Sequence, residues 1–365
     1  MKVLHVIARF NVGGTATYLY NLLNGLKVNS IETILVTGLV PENEKEDSRI
    51  VKLKYARVKN LSRALSPIND VLAYRQINSV IRDFKPDIIH CHTFKAGLLM
   101  RFKKQPIPII HTFHGHHLYD PEFGWLARLM LNSVEKVLAK KSWKLITIGE
   151  IVKKELLNKK IGKKGQYVSI APGIEKPKSI NSVLVREKFA IKPGDFVVVW
   201  LGRFTKVKRP DIVLEVAKRL PKVVFLMAGD GELREKMESV SPTNLRILGV
   251  QEASEMWGIA NLALLTSDSE GMPLTLIEAQ MSGIPVVATN VGSVSEIVED
   301  GVTGVLTLVD VDQISSSLEE LVANPSKLEK MGKAAELRAS GLFSQEVMVE
   351  RHIRVYQEVL GKVSQ

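Results

Sequence analysis

Residues 268–283 read DSEGMPLTLIEAQMSG, and they follow the apolar run LALLTS at residues 262–267. The apolar run predicts a buried strand, and Pro273 suits the first turn of a helix that begins soon after it. A strand followed at once by a helix is the repeating unit of an α/β sheet. The stretch therefore predicts an α/β fold whose ligand lies where this strand ends.

Two carboxylates of this stretch, Glu270 and Glu278, are eight positions apart, about two helical turns. We expect them on a similar helix face, where one would hold the hydroxyls of a sugar and the other those of a ribose. Gly271 removes a side chain beside them, and the N–H groups of the following helix N-terminus suit a phosphate. A solvated helix start with capping acids explains the spacing as well, because the spacing alone is a weak motif.

Similar strand-and-helix units run through the whole chain. Apolar runs that predict strands lie at residues 2–8, 32–37, 87–91, 107–113, 145–148, 167–171, 196–202, 223–229, 245–249, 262–267 and 285–289. Helical patterns between them include residues 15–26, 70–84 and 126–141, and a last one covers 344–360. This βαβα order predicts parallel sheets covered by helices.

A linker divides the chain near residues 172–182, PGIEKPKSINS, which include two prolines. A chain of 365 residues also exceeds what one core usually supports. We therefore expect two α/β domains in series, over residues 1–172 and 173–343, with a cleft between them. Residues 344–365 would form a final helix.

The composition is that of an ordinary globular protein, with 45% hydrophobic and 24% charged residues. The single cysteine, Cys91, excludes an intrachain disulfide and fits a reducing compartment. The first strand lacks the features of a signal peptide, and no apolar stretch approaches the roughly 20 residues that span a bilayer. We expect the protein in the cytoplasm, with any contact to the inner face of a membrane being peripheral.

The net charge of +11 is unevenly distributed. Residues 1–180 contain 30 Lys+Arg and 14 Asp+Glu, whereas residues 181–365 contain 20 and 25. A basic first half predicts an anionic partner, such as phospholipid, lipid-linked phosphate or nucleic acid. Nucleic acid is the least expected of these, because no nucleic-acid-binding module is recognisable.

Ten lysines between residues 136 and 164 lie close in sequence to several large apolar residues. This combination is typical of a surface that faces an anionic membrane, although a solvated basic face has the same composition. The apolar residues are Trp125, Leu126, Leu129, Met130 and Trp143.

Two cations follow another predicted strand in the segment WLGRFTKVKRPD, residues 200–211. Arg203 and Lys208 are suited to clamp a diphosphate and to stabilise the charge that grows on a leaving nucleotide. A basic surface loop is the alternative, and we assign Lys206 and Arg209 to it.

Two further segments carry candidate residues near the N-terminus and after residue 110. Gly13 and Gly14 begin a predicted helix and allow the backbone to approach a phosphate or an acceptor, although a tight turn needs them too. The segment HTFHGHH at residues 111–117 offers His114, beside Gly115, as a working histidine. Its other histidines are expected to be structural. A metal site is not expected there, because the spacing matches no helical H-x-x-x-H pair.

Together these segments resemble the family 4 retaining glycosyltransferases, whose GT-B fold consists of two facing Rossmann-like domains. The resemblance covers nearly the whole chain, with its motifs in the family's order. It implies that residues 1–172 form the acceptor-side domain and residues 173–343 the nucleotide-sugar-binding domain. It also implies that the final helix, in residues 344–365, crosses back to the first domain. It rests on GGT at 13–15, FHG at 113–115, APGIE at 171–175 (with Glu175 where Asp is usual), GRFTKVKRPD at 202–211, AGDGEL at 228–233, LGV at 248–250 and SEGMPLTLIEA at 269–279.

The resemblance implies a role for each matched residue. His114 would lie near the donor sugar, and Arg203 and Lys208 would contact the diphosphate. Glu270 would hold the transferred sugar and Glu278 the ribose. The other donor-binding positions would be Gly13, Gly14, Gly202, Gly229, Val250, Gly271, Met272, Pro273 and Leu274.

The implied reaction moves a hexose or N-acetylhexosamine from a nucleoside-diphosphate sugar, with UDP favoured, to a lipid-linked or polysaccharide acceptor. The anomeric configuration would be retained. Neither a metal nor another cofactor is expected, because Arg203 and Lys208 would supply the charge. The letters D-x-D occur at Asp310-Val311-Asp312, where they begin a late helix and not a metal site.

Two alternatives remain on the sequence alone. A sugar-nucleotide epimerase with the same fold would share the donor site, and a non-catalytic protein would bind only an anionic polymer or membrane. A nicotinamide-dependent dehydrogenase is not expected, because the G-x-G-x-x-G fingerprint is missing from both domains.

Overall fold

The computed structural model describes residues 1–363 except for Asn43, Lys104, residues 116–123 and Ser179. The chain forms two compact units. The first comprises Met1–Ile174 together with the segment that starts at Gln345, and the second comprises Glu175–Ser344.

Each unit is built on one parallel sheet. The described strands of the first unit pair in the order β3-β2-β1-β4-β5-β6-β7, and those of the second in the order β10-β9-β8-β11-β12-β13. Their bounds are β1 Lys2–Ile7, β2 Glu32–Thr37, β3 Tyr55–Arg57, β4 Ile88–His92, β5 Ile109–Phe113, β6 Lys144–Thr147, β7 Tyr167–Ser169, β8 Val197–Leu201, β9 Val224–Ala228, β10 Leu245–Ile247, β11 Leu262–Leu265, β12 Val286–Thr289 and β13 Gly304–Thr307.

Helices connect these strands and cover the sheets. The first unit contains α1 Gly14–Val28, α2 Pro67–Phe84, α3 Thr93–Arg101, α4 Trp125–Ala139 and α5 Glu150–Asn158. The second contains α6 Ser182–Lys188, α7 Pro210–Arg219, α8 Arg234–Glu238, α9 Ala253–Ile259, α10 Leu274–Met281, α11 Val294–Ile297, α12 Val311–Ala323 and α13 Pro325–Phe343, after which α14 Gln345–Val363 belongs to the first unit again.

The predicted fold class, two parallel α/β domains, is confirmed. The sequence patterns missed β3 and β13, which are short and lie at the sheet edges. Tyr55–Arg57 has no buried residue, and Gly304–Thr307 begins with glycine, so neither has the apolar run that marks the inner strands.

The strand order reverses at one place in each sheet. β1 and β4 are neighbours in the first sheet, and β8 and β11 are neighbours in the second, although much chain separates the members of each pair. Connections leave such neighbours toward opposite sides, which opens a crevice at their carboxyl ends. These two crevices are where ligand-binding side chains are expected.

Apolar side chains of the strands and helices form a core in each unit. Val6 and Ile89 lie in the core of the first unit, and Trp200 and Phe225 in that of the second, all at 2% exposure or less. Complete burial of one such side chain stabilises a fold by about 1.5–3 kcal/mol. These cores fix the strand ends that carry the polar residues described below.

The last helix, α14, packs on α1 of the first unit. The N–H of Gln345 donates to the carbonyl of Ile174 at 3.0 Å, and its side-chain amide donates to the carbonyl of Asn21 at 2.7 Å. Among the described residues, no helix has the length and apolarity needed to cross a bilayer.

Candidate functional site

An ion pair lies at the strand reversal of the second sheet. β8 and β11 pair side by side, so the loops that follow them meet. Lys208, on the loop after β8, donates through Nζ to Oε1 of Glu270, on the loop after β11, at 2.5 Å. Ser267 Oγ donates to the same carboxylate oxygen at 2.6 Å. Glu270 is only 8% exposed, so the pair is largely shielded from solvent.

The two loops are held together by further hydrogen bonds. The hydroxyl of Thr266 donates to the carbonyl of Lys208 at 2.9 Å and accepts from the indole N–H of Trp200 at 3.1 Å. The N–H of Asp268 donates to the carbonyl of Val207 at 2.8 Å. Because Trp200 and Thr266 are buried, the position of the ion pair is set by the core.

A third loop, after β12, supports the backbone of Glu270. Gly292 has a φ of 53°, and a Cβ atom there would lie 1.7 Å from the carbonyl oxygen of Glu270. The N–H of Ser293 donates to the carbonyl of Gly271 at 3.0 Å. Only glycine permits this close approach in a left-handed conformation.

The prediction that Glu270 and Glu278 share a helix face is wrong. α10 begins at Leu274, and Pro273 is its extended N-cap residue with φ −71° and ψ 114°. Glu270 therefore lies on the loop before the helix, whereas Glu278 lies on the helix and accepts from Nε1 of Trp257 at 3.5 Å. Because the backbone of Pro273 is extended, the helix begins only after it and does not include Glu270. Gly271, at a bend, and Met272 connect Glu270 to the residues that begin the helix.

The remaining predicted residues of the second unit lie on the loops after β8, β9 and β10. Gly202 donates to the carbonyl of Ala228 at 3.0 Å, and Gly229 donates to the carbonyl of Gly249 at 2.7 Å. Gly229 has a φ of 141°, and a Cβ there would lie 1.8 Å from the carbonyl oxygen of Gly202. The three loops are thus packed backbone against backbone, while Val250 is 76% exposed beside them.

The cations of the loop after β8 differ in their partners. Arg203 is exposed, and its guanidinium contacts no partner among the residues the structure describes. Lys206 is exposed as expected for a surface charge. Arg209 departs from that expectation, because it pairs with Asp211 at 2.8 Å and Asp268 at 3.1 Å. Arg203 is therefore available to an anion.

In the first unit, the glycine segment and His114 lie close to the same tyrosine. Gly13 is the N-cap of α1 with φ 152°, and both Gly13 and Gly14 are exposed. Tyr18, about one turn into α1, packs edge-on against the ring of His114, with centroids 4.6 Å apart and an interplanar angle of 88°. His114 follows the end of β5 and is half-buried. The structure therefore groups these predicted residues at the strand reversal of the first sheet.

The sequence patterns missed a buried group of histidines behind His114. Nδ1 of His92 lies 3.0 Å from Nε2 of His114, and Nε2 of His92 lies 3.0 Å from Nδ1 of His5. His90 contacts the hydroxyls of Tyr356 and Thr112 at 2.8 and 2.7 Å. Burial is the main cause that lowers the pKa of His5 to about 3, and the charge of the nearby His352 contributes to the same shift. The same burial lowers the pKa of His90 and His92 well below the usual range.

This group contains the candidate metal ligands His5, His90 and His92, which offer nitrogen atoms within 4.8 Å of one another. Five of their six ring nitrogens already have the hydrogen-bond partners named above. Of these six ring nitrogens, only Nε2 of His5 is buried without a partner among the described residues. Hydrogen bonding therefore accounts for the arrangement of the three rings.

The other histidines of the segment 111–117 do not join this group. His111 is buried, and within the described residues neither of its ring nitrogens has a hydrogen-bond partner. Burial and the charge of Arg101 lower its pKa well below the usual range. Arg101 itself pairs with Glu135 at 2.9 Å. His116 and His117 lie outside the described residues.

The basic segment of the first unit exposes apolar side chains along α4. Trp125 and Leu126 are 66% and 63% exposed, and Leu129 and Met130 are 55% exposed each. Exposed lysines 136, 140 and 141 lie at the other end of the helix. Lys144 does not belong to this surface, because it is buried and bonds Glu358 at 2.9 Å.

Two family models match the chain. The model described as Glycosyltransferase Family 4 matches residues 12–175, and the model described as Glycosyl transferases group 1 matches residues 184–338. Each model covers most of one unit.

Curated relatives match both units. The UDP-Gal:alpha-D-GlcNAc-diphosphoundecaprenol alpha-1,3-galactosyltransferase of Escherichia coli is 28% identical over 286 residues, which are 73% of this chain and 73% of the relative. The putative glycosyltransferase EpsD of Bacillus subtilis is 25% identical over 311 residues, 79% of this chain and 80% of the relative.

Solved structures share the fold. Sucrose-phosphate synthase from Thermosynechococcus elongatus superposes with a TM-score of 0.85 at 17% identity, covering 99% of each chain. Anabaena Alr3699/HepE, solved in complex with UDP-glucose, superposes with a TM-score of 0.82 at 17% identity, covering 98% of this chain and 100% of that one. At such low identity these likenesses establish the GT-B fold alone.

Proposed function

The chain belongs to the family 4 glycosyltransferases, and we propose that it transfers a hexose or N-acetylhexosamine from a UDP-sugar to a lipid-linked or polysaccharide acceptor with retention of configuration. The observation that carries the proposal is the shielded Lys208–Glu270 pair at the strand reversal of the second sheet. A cation at this place suits the diphosphate of a donor, and a carboxylate beside it suits the hydroxyls of the sugar that the diphosphate carries.

Each member of the pair has one part in this reaction. Lys208, together with the exposed Arg203, binds the diphosphate and stabilises the negative charge that develops as it leaves. Glu270 accepts hydrogen bonds from hydroxyls of the transferred sugar. Glu278, fixed on α10, accepts from the ribose hydroxyls.

The bond changes of the proposed transfer balance without an enzyme nucleophile. The acceptor hydroxyl oxygen bonds to the anomeric carbon on the face from which the diphosphate departs. The bond from that carbon to the phosphate oxygen breaks, and the hydroxyl proton passes to an oxygen of the leaving diphosphate. We propose that Arg203 and Lys208 supply the charge stabilisation and that the transfer needs no metal ion.

The first unit offers two further binding groups. The exposed start of α1 at Gly13 and Gly14 presents free N–H groups, which suit a phosphate or an acceptor oxygen. His114 presents one ring nitrogen that its neighbour His92 does not use, which suits a sugar oxygen.

The names of relatives support UDP and a lipid-linked acceptor. The Escherichia coli relative is named for a UDP-galactose donor and a diphosphoundecaprenol-linked acceptor, and structures of Anabaena HepE contain UDP and UDP-glucose. A lipid-linked acceptor would hold the enzyme at a membrane surface. We propose that the apolar face of α4 and the lysines at its end bind that surface.

The test is a panel of nucleoside-diphosphate sugars, read first by thermal shift and then by product analysis with lipid-linked acceptors. We expect UDP-sugars to raise the melting temperature, a product with the donor's anomeric configuration, and rates that chelators leave unchanged. Absence of nucleotide affinity would remove the enzyme proposal. Donor conversion without any acceptor would instead favour an epimerase.

The membrane part has its own test, with vesicles of phosphatidylcholine with and without phosphatidylglycerol. We expect binding only to the anionic vesicles, weakening as salt rises, because the attraction to anionic lipid is screened. Leu126→Asp should reduce binding, whereas Leu337→Asp on the second unit should not, although Leu337 is the more exposed of the two, at 80% against 63%. Equal binding by both variants would contradict the assignment to α4.

A further inference from the structure

Three histidines form a hydrogen-bonded row that ends at His114. His5 lies on β1, His92 ends β4 and His114 follows β5. His5 and His92 are completely buried, and His114 is half-buried. Two links of 3.0 Å join the row, from Nδ1 of His5 to Nε2 of His92 and from Nδ1 of His92 to Nε2 of His114. The row therefore runs from the core to the predicted substrate side of the first unit.

Each link needs one proton, and each neutral imidazole carries one. The rings are neutral, because a charged ring in this row would be buried without a carboxylate partner among the described residues. Only two arrangements then satisfy both links. Either all three rings carry the proton on Nδ1, or all three carry it on Nε2. A mixed arrangement places two protons, or none, between a pair of nitrogens.

The buried end of the row distinguishes the two arrangements. Nε2 of His5 is buried and has no partner among the described residues. With the protons on Nε2, this atom would be a buried N–H without an acceptor. With the protons on Nδ1, Nε2 of His5 is instead a buried acceptor without a donor. A buried donor without an acceptor is the rarer defect in folded proteins.

We infer that His5, His92 and His114 all carry their proton on Nδ1, so that His114 is a fixed hydrogen-bond donor toward the substrate. His92 is a positioning residue that supplies the proton to Nε2 of His114, and His5 fixes His92 in the same way. A donor at this place suits an oxygen without a proton, such as a phosphate or glycosidic oxygen. This use of the donor rests on the proposed transfer, whereas the proton positions do not.

The neighbouring polar groups keep the row separate. Nδ1 of His352 lies 2.8 Å from the carbonyl of Met348, so it carries the proton there, and its Nε2 accepts from the hydroxyl of Tyr18 at 2.9 Å. His90 contacts two hydroxyls, each of which can turn to donate or to accept. Neither group competes for the nitrogens of the row.

The first experiment reads the proton positions in the unmodified protein by NMR. Two-bond ¹H–¹⁵N couplings in protein labelled with ¹⁵N-histidine separate an Nδ1–H ring from an Nε2–H ring, and single substitutions assign the signals. We expect Nδ1–H on all three rings near pH 7.5. Nε2–H on any of them would overturn the inference. So would a metal ion bound to the protein as isolated, because a ligating nitrogen carries no proton.

The second experiment uses two similar amides at His92. Asparagine places its amide near Nδ1 and can still donate to His114, whereas glutamine places its amide near Nε2 and keeps only the link to His5. We expect His92→Gln to lower kcat about 10- to 100-fold with little change in KM, the size of the effect when a metal-binding histidine loses the group that orients it. His92→Asn should stay within about threefold of the unmodified rate.

Two controls keep the outcomes distinct. His111→Asn removes a similarly buried histidine that lies outside the row, and it should leave kcat close to that of the unmodified protein. Equal rates for His92→Asn and His92→Gln would overturn the role of the link. If the unmodified protein transfers no sugar, the proposed function fails, but the NMR result still decides the proton positions.

Discussion

The two units share one strand order over six strands, with a seventh strand at one edge of the first sheet, but they place opposite kinds of polar group at the strand reversal. In the second unit the crevice is lined by charge, the pair of Lys208 and Glu270. In the first it is lined by neutral imidazoles, and all eight histidines of the chain belong to that unit. The comparison teaches that topology selects where a ligand lies, whereas the side chains at the strand ends select how it is held. It also makes the two units respond differently to acid.

The largest expected effect is the selective loss of the first unit at low pH. The described histidines of the first unit all have a pKa below that of an exposed histidine, about 6.5, mainly because of burial. They are His5, His90, His92, His111, His114 and His352. The unfolded chain therefore binds more protons than the folded unit below pH 6.5, and the free energy of unfolding falls as the pH falls.

The size of this effect follows from the number of groups. Each histidine costs about 1.4 kcal/mol per pH unit between its two pKa values. Within one or two pH units below 6.5, the summed cost for several histidines therefore exceeds the free energy of unfolding of a typical domain, roughly 5–15 kcal/mol. Hydrogen exchange measured from pH 7 to 4 should show the first unit opening while the second, which contains no histidine, stays protected. Loss of protection in both units at the same pH would contradict the comparison.

The second effect concerns the charged crevice. Glu270→Ala and Lys208→Ala should each lower kcat/KM at least about 100-fold, because each removes a group that contacts the donor in the proposed transfer. The fold should remain, since both side chains lie on loops. Lys206→Ala is the matched control, because Lys206 lies on the same turn and is exposed. Rates close to those of the unmodified protein in either crevice variant would show that the site lies elsewhere.

The sequence predicted the charged crevice better than the neutral one, for a physical reason. Arg203, Lys208 and Glu270 each follow a strong apolar strand, and a charge at the end of such a strand is visible in one short segment. The helix start was misjudged, because Pro273 is extended and Glu270 precedes the helix. Only the structure shows that the two carboxylates lie on different elements.

The histidine row was not predictable in the same way. Its first link joins residues 87 positions apart and its second joins residues 22 apart. A signal existed in IIHCH at residues 88–92, because alternate residues of a strand share a face. The position of His5 beside that face depends on the pairing of β1 with β4, where His5 is opposite His90. Strand order of this kind does not follow from local sequence.

The third effect concerns the close packing of Gly292 against the backbone of Glu270, which holds Glu270 in place. Gly292→Ala should lower the free energy of unfolding of the second unit by about 2–4 kcal/mol, because its Cβ would overlap the carbonyl oxygen of Glu270. Activity should fall with it as the loop shifts. Gly301→Ala is the matched control, since it also has a positive φ, 73°, but an open surrounding, and it should cost only about 1–2 kcal/mol. Urea unfolding of both variants measures the difference.

The smallest effect tests the contact between α14 and the buried histidines. Tyr356→Phe removes the hydroxyl that lies 2.8 Å from Nδ1 of His90 and leaves that nitrogen without its partner. The free energy of unfolding of the first unit should fall by about 1–2 kcal/mol, while hydrogen exchange in the second unit stays unchanged. Tyr20→Phe is the control, because Tyr20 contacts Arg49 through its ring face and phenylalanine keeps that contact. Equal stability of the two variants would mean that the hydroxyl of Tyr356 contributes nothing. Packing alone would then stabilise the buried histidines of the first unit. The two crevices would differ in the burial of their polar groups, and not in how those groups are hydrogen-bonded.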